Sequence, residues 1–376
     1  MVRAAVIYHI WPHYRQAVAM AMDRSEKVEY SFFGSGESYE GIKHAAPSAF
    51  RRFVVAPFRF RSRMMWQPKA VQAALSNDYD VLVYLGDPNF ASTWVGASLA
   101  RLRRKPVLMW AHGWLRVEAP SKRLMRNVFF GLAQRLLVYG ERAKMLGAKA
   151  GYADDRITVV YNSLDVDRAD QIVERIEADT LDTVRPQALF SDPSLPLVIC
   201  SARITALCRF DLLLRAAALL SARGTPVNTL LVGDGPEHPA LKAQAVELGV
   251  SIHFYGACYD EEVLGQLIYR ADITVSPGKI GLTAMQSLMY GTPAITHDNL
   301  DEQMPEVEAI EEGRSGLLFK QNDAGSLADA IATWLKSGRD RAQVRTACRA
   351  VIHQKWNPRN QAAIIEQALL EVVRNA

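Results

Sequence analysis

Two arginines, Arg203 and Arg209, flank a short loop between an apolar run and the helical pattern FDLLLRAAALL. A guanidinium pair at a helix start can hold an anion, because each fork donates bidentate hydrogen bonds and the unpaired amides of the first turn add partial positive charge. Taken alone, surface arginines are usually just solvated. The stretch DITVSPGKIGLTAMQSLMYGTP follows the same logic. A β-branched run stops at Pro277 and Gly278, a helix begins near Leu282, and Gly278 and Gly281 let backbone approach a ligand beside Lys279. This predicts a phosphate held by the segment Gly278, Lys279, Ile280, Gly281 and Leu282. Between these two segments lies GDGP, residues 233–236, in which the third glycine of a dinucleotide fingerprint falls on His238. A nicotinamide enzyme is therefore disfavoured.

Such groups need rigid elements to aim them. Short apolar runs at 2–10, 28–33, 80–85, 106–111, 135–139 and 157–161 alternate with amphipathic stretches such as 90–104 and 122–133. They read as buried parallel strands covered on both faces by crossover helices, because that burial removes the apolar/polar alternation. A second series has strands at 195–202, 229–232, 252–255, 273–276, 294–297 and 317–319. The predicted architecture is α/β, with two Rossmann-like doubly wound domains facing a central cleft. Residues 1–165 form an N-terminal Rossmann-like domain, 166–194 a connector, 195–355 a C-terminal Rossmann-like domain that carries both anion motifs, and 356–376 an amphipathic tail helix. Ligands of such sheets sit at the carboxyl ends of the strands, where both anion motifs fall.

In order, Arg203, GDGP, PGKIGLTAMQSLMYGTP and EEGRSGLLF (residues 311–319) resemble the nucleotide-sugar domain of glycosyltransferase family 4, whose fold is the two-domain GT-B type. The resemblance spans most of residues 195–335. AHGW at 111–114 resembles the family's histidine-bearing strand end, and ITVVYNSLD at 157–165 the segment before the connector, whereas residues 1–110 match only in strand order. The resemblance implies a retaining, metal-independent hexosyltransferase-like enzyme with no cofactor beyond its donor substrate, a nucleoside diphosphate sugar. It implies that Arg203 sits on the diphosphate, that amides from Gly278 to Leu282 bind the distal phosphate, and that His112 approaches the reacting sugar from the opposite domain. The sequence departs from the family in three places. The family's lysine falls on Cys208, leaving Arg209 as the adjacent cation, and its paired glutamates fall on Gly278 and Gln286. Gln286 can still bond ribose hydroxyls, but Gly278 offers nothing to a donor-sugar hydroxyl. A non-catalytic sugar-nucleotide-binding subunit and a nucleotide-sugar epimerase on the same fold stay open.

The 376 residues hold 44 Lys plus Arg, 40 Asp plus Glu and 49% apolar residues, a composition that folds rather than staying disordered. The net +4 conceals an asymmetry. Residues 1–165 carry 24 basic and 13 acidic side chains, and the remainder 20 and 27. From residue 41 to 77 no acid occurs, while Arg51, Arg52, Arg59, Arg61 and Arg63 interleave with Phe50, Phe53, Phe58, Phe60 and Trp66, and Arg101, Arg103, Arg104 and Lys105 form a second cluster. Cations among large apolar side chains suit an anionic membrane surface; a solvated basic face above buried rings is the plainer alternative. No recognition helix or RNA-binding signature accompanies the charge, so nucleic acid is not expected as a partner. A saccharide or lipid-linked acceptor fits both the charge and the resemblance, in bacterial-type surface polysaccharide or glycolipid assembly. The expected location is cytoplasmic, peripheral at the inner membrane face, since no apolar run is long enough to span and the N-terminus lacks a secretory pattern. The four cysteines are ungrouped, which argues against zinc and disulfides. The triplets Asp78-Tyr79-Asp80 and Asp165-Val166-Asp167 lie at element starts and are expected to be structural rather than metal-binding. His9, His13 and Asp87 are candidates for the acceptor side, with packed or solvated side chains the plainer reading.

Overall fold

A computed structural model of the chain describes residues 1–181 and 184–376. The chain divides into two compact units, one comprising Met1–Asp165 with Lys355–Ala376 and the other Val166–Gln354.

In the first unit the backbone runs β1 (Val2–Ile7), α1 (Gln16–Asp23), β2 (Val28–Gly34), β3 (Phe53–Val55), β4 (Arg59–Arg61), β5 (Met64–Trp66), α2 (Pro68–Leu75), β6 (Val81–Leu85), α3 (Ala91–Leu102), β7 (Val107–Ala111), α4 (Pro120–Gly131), β8 (Arg135–Val138), α5 (Glu141–Lys149) and β9 (Ile157–Val159). Seven parallel strands lie in the order β3-β2-β1-β6-β7-β8-β9, and β4 and β5 form a separate antiparallel hairpin pairing Arg59 with Trp66 and Arg61 with Met64. The buried strand residues divide between the two faces. Val6, Val83, Leu108 and Leu137 pack with α1, and Ile7, Leu82, Met109 and Leu136 pack with α2 to α5.

The second unit runs α6 (Val166–Glu177), β10 (Leu197–Ser201), α7 (Phe210–Ala222), β11 (Asn228–Val232), α8 (His238–Leu248), β12 (Ile252–Gly256), α9 (Glu261–Arg270), β13 (Ile273–Val275), α10 (Leu282–Met289), β14 (Ala294–His297), β15 (Gly316–Phe319), α11 (Ala324–Leu335) and α12 (Arg341–Gln354). Its parallel sheet has the order β12-β11-β10-β13-β14-β15. Counted within the unit, that is 3-2-1-4-5-6, the dinucleotide-fold order, whose direction reverses between β10 and β13.

Two segments fall differently from the sequence expectation. Residues 166–194, expected to be a connector, open with α6, which belongs to the second unit and packs on α9, with Arg168 and Arg175 both bonded to Glu262. The tail helix α13 (Pro358–Arg374) does not stand apart. Ala362, Ile365, Ala368, Leu369 and Val372 complete the core of the first unit beside α1. An apolar stripe of that size must be covered, and α1 together with the face of β8 and β9 covers it. The expected aromatic and basic surface also splits: Phe50 and Met65 are buried, while Phe60, Trp66 and the arginines of β4 are exposed.

Candidate functional site

The reversal between β10 and β13 places their exits side by side, and the two anion motifs leave from those exits. Arg203 follows β10, is exposed, and makes no ion pair or side-chain hydrogen bond among the described residues. After β13 the chain passes through 277–281 into α10. The two loops are stitched together: the Gly278 amide donates to the Cys208 carbonyl at 3.0 Å, the Lys279 amide to Leu207 at 3.3 Å, and the Thr283 hydroxyl to Ser201 at 3.2 Å. Gly233 and Gly235 hold the GDGP turn against the same exit, because a Cβ at either would strike the carbonyl of Ala202 or Ile204. Asp234 receives the His238 ring at 3.0 Å; that bond and the Gly235 amide keep its carboxyl below the usual range.

Of the five amides expected to meet a phosphate, three are bonded internally. Gly278 and Lys279 are used as above, and the Ile280 amide donates to the Oε1 of Gln303 at 2.7 Å. Gln303 is 2% exposed, and its Nε2 reaches the Thr296 hydroxyl at 2.9 Å and the His297 carbonyl at 3.1 Å. No signal in the sequence marks this residue. The amides of Gly281, Leu282 and Thr283 precede the first intrahelical bonds and have no partner among the described residues. Lys279 is exposed beside them, and Gln286 is half-buried one turn further along α10. The unbonded amides therefore lie further toward the helix than the segment expected from the sequence.

Arg209 is occupied differently from Arg203. It adopts a left-handed conformation, φ 51°, at the start of α7, with Nε 3.0 Å from Asp211 and Nη1 bonded to Asn322. The Asp211 hydrogen bond raises the guanidinium pKa, and although burial opposes it, Arg209 and Arg215 hold the Asp211 carboxyl below its ordinary value. Its guanidinium is engaged where it stands, by a carboxylate that it shares with Arg215. Cys208, in the position of the family's lysine, donates its thiol to the Arg203 carbonyl at 3.1 Å. Gly278 has no room for a side chain: a Cβ would land on the Leu207 carbonyl oxygen and lie 2.8 Å from the Cys208 carbonyl carbon.

In the first unit His112 is exposed just past β7, its ring 5.0 Å from that of Tyr139. Tyr139 accepts a hydrogen bond from Arg15, which is buried among the rings of Tyr8, Trp110 and Tyr139 and also donates to Tyr8 at 3.3 Å. The loop after His112 is clamped by Arg126, which grips both oxygens of Glu118 at 2.7 Å and donates to the Gly113 carbonyl at 3.1 Å. The order of this sheet also reverses between β1 and β6, and there His9 packs against Tyr39, Phe58 and Phe90; burial lowers its pKa to about 4 although Asp87 opposes this. Asp78 bonds Ser76, and Asp80 pairs with Arg3 at 2.7 Å. No group of His, Cys, Asp and Glu fit for a metal ion occurs among the described residues.

The sequence model of the glycosyl transferases group 1 matches residues 184–351, and that of glycosyltransferase family 4 matches 21–168. The D-inositol 3-phosphate glycosyltransferase of Nocardia farcinica is 32% identical over 251 residues, 63% of this chain and 52% of that protein. The chain spans about half the length of that curated relative and less of others. Among solved structures, Anabaena HepE in complex with UDP superimposes with a TM-score of 0.72 at 15% identity, covering 99% of this chain and all of that one. The lipopolysaccharide outer core galactosyltransferase WaaB in its apo form gives 0.71 at 14%, covering 98% and 99%. By both sequence models and by its fold, the chain belongs to the family-4-like glycosyltransferases with the GT-B fold.

Proposed function

We propose that the chain moves a sugar, with retention of configuration, from a nucleoside diphosphate donor to a saccharide acceptor that is lipid-linked and presented at an anionic membrane surface. The observation that carries this reading is the pairing of an unneutralised Arg203 with three unbonded amides, Gly281 to Thr283, at the point where the second sheet reverses direction. When the glycosyl bond breaks, negative charge grows on the β-phosphate oxygens. Donors fixed in advance around that position stabilise the transition state more than the ground state, and they need no reorganisation. Arg203 and Lys279 supply full charge, Gln286 is assigned to the ribose, and His112 takes the acceptor-facing role in the first unit. HepE, solved with UDP, supports a nucleotide donor, and the basic first unit supports the membrane setting. No helix among the described residues is long and apolar enough to cross a bilayer, which suits peripheral attachment at the cytoplasmic face.

The test is a donor-consumption assay with membrane extract as acceptor, preceded by calorimetric titration of UDP and GDP. Arg203→Ala should lose roughly 2 to 4 kcal/mol of transition-state stabilisation, the scale of one deleted oxyanion donor; unchanged turnover removes the assignment. A second reading, a sugar-nucleotide-binding subunit without turnover, is favoured by the filled position beside Gly278, where no side chain can meet a sugar hydroxyl. Tight nucleotide binding without turnover on any donor would select it.

A further inference from the structure

The first unit carries an unpartnered apolar stripe on α4. Phe129 and Phe130 turn inward and are fully buried with Ala97 and Ala100 of α3. On the opposite side Leu124 and Val128, one turn apart, are 66% and 54% exposed, with Met125 exposed between them. Arg101 donates to the Gly131 carbonyl at 3.2 Å, which brings the end of α3 beside the end of α4, and Leu102 at that end of α3 is 82% exposed. The surroundings are basic: Arg101, Arg103, Arg104, Arg116, Lys122 and Arg123 are exposed on α3, on α4 and in the segments after β7 and α3, and Glu118, the one acid of residues 88–140, has its carboxylate buried against Arg126. It also adjoins the hairpin, since the Met65 amide of β5 bonds Asn89 at 2.8 Å, two residues before α3.

We infer that the α3–α4 face docks the protein on an anionic bilayer, with Leu124, Met125, Val128 and Leu102 at headgroup depth and the surrounding cations on lipid phosphates. A solvated helix face has no use for three large apolar side chains, and apolar patches rimmed by charge mark interaction sites. The charge decides the occupant. A second copy meeting this face about a twofold axis would set cations against cations, which is costly, whereas an anionic lipid surface neutralises them. This inference rests on the membrane setting proposed above, but its test requires no sugar chemistry.

The full chain is sedimented with vesicles of phosphatidylglycerol and phosphatidylcholine, and with phosphatidylcholine alone, at low and high salt. Binding is expected to the anionic vesicles at low salt, weaker at high salt. Leu124→Gln with Val128→Gln should weaken it at least tenfold, and Arg123→Glu at least fivefold on the anionic vesicles. The variants lie at exposed positions, and circular dichroism confirms that they fold. The inference is overturned if the wild type stays in the supernatant at low salt, or if the variants sediment like it. It is also overturned if the wild type elutes as a dimer that the double variant dissociates, because a second copy then covers the face. UDP titration of the same variants keeps the two claims apart: unchanged nucleotide binding with lost sedimentation supports docking, and absent nucleotide binding in the wild type strikes the transferase reading alone.

Discussion

Gln303 should govern the donor loop from behind. Replacing it with methionine keeps the volume and removes both functional ends of the amide. The Thr296 hydroxyl loses little, because it already donates to Ser276 at 2.8 Å. The Ile280 N–H and the His297 carbonyl lose the side-chain partner that Gln303 supplies, and both residues are at most 2% exposed. An orphaned buried polar group costs about 1–3 kcal/mol, so two cost roughly 2–6 kcal/mol. That is a large share of the 5–15 kcal/mol or so that holds a domain together. In urea unfolding followed by circular dichroism, Gln303→Met should therefore lower the stability of the second unit by about 3 kcal/mol or more. Because residue 280 then loses its anchor, UDP affinity measured by calorimetry should drop with it. Gln303→Glu separates the two ends: a carboxylate still accepts from Ile280 but repels the His297 carbonyl, so it should retain more UDP affinity than methionine while remaining destabilised at neutral pH. A methionine variant with the wild-type urea midpoint and the wild-type UDP affinity would refute this account of how the loop is held.

Other perturbations have equally definite signs. Folded His9 takes up its proton near pH 4 and the unfolded chain near 6.5, so unfolding binds a proton between those values and stability falls as pH is lowered through that window, by about 3 kcal/mol in full. His9→Gln should flatten that slope in urea midpoints measured from pH 7 to 4.5, and a parallel slope would refute it. Glu118→Gln leaves the partly buried Arg126 without its counter-charge and should cost about 2 kcal/mol, read as a lowered thermal midpoint, with turnover falling further than UDP affinity. Gly278→Glu, although it restores the family's residue type, should destabilise by about 1–3 kcal/mol and weaken UDP binding, since its Cβ meets the Leu207 carbonyl; a gain in turnover would show that the loop opens freely.

Much of the scaffold was legible because buried parallel strands announce themselves as short β-branched runs. Six strands of each main sheet lie where such runs occur, and the two anion motifs leave from neighbouring strand ends as their order predicts. β9 and β13 are only three residues long yet lie inside longer apolar, β-branched runs, whereas β3 and the hairpin, equally short, sit in a basic, aromatic stretch with no such run to mark them. The amphipathic pattern of α13 was plain, but a stripe does not say which sheet it covers. Gln303 was illegible for a related reason: its three bonds reach residues 280, 296 and 297, and no local pattern encodes a side chain whose partners are assembled by the tertiary fold.

The two departures from the family pattern around the diphosphate position, Cys208 and Gly278, are one structural event. With glycine at 278, the Leu207 carbonyl occupies the space a side chain would take, and the 206–208 turn bonds directly to the amides of 278 and 279. That closure leaves residue 209 in a left-handed conformation, unusual for a residue with a side chain and costly by about 1–2 kcal/mol. It also turns the Arg209 guanidinium onto Asp211 and Asn322, away from the role of a second phosphate cation. A thiol at 208 fits the closed turn, because it can donate to the Arg203 carbonyl inside it. In the proposed transfer, the charge that a leaving diphosphate requires then falls to Arg203 from the β10 exit and Lys279 from the β13 exit, one cation from each side of the reversal. Removing Lys279 should therefore matter nearly as much as removing Arg203, an equivalence that a free Arg209 would not produce.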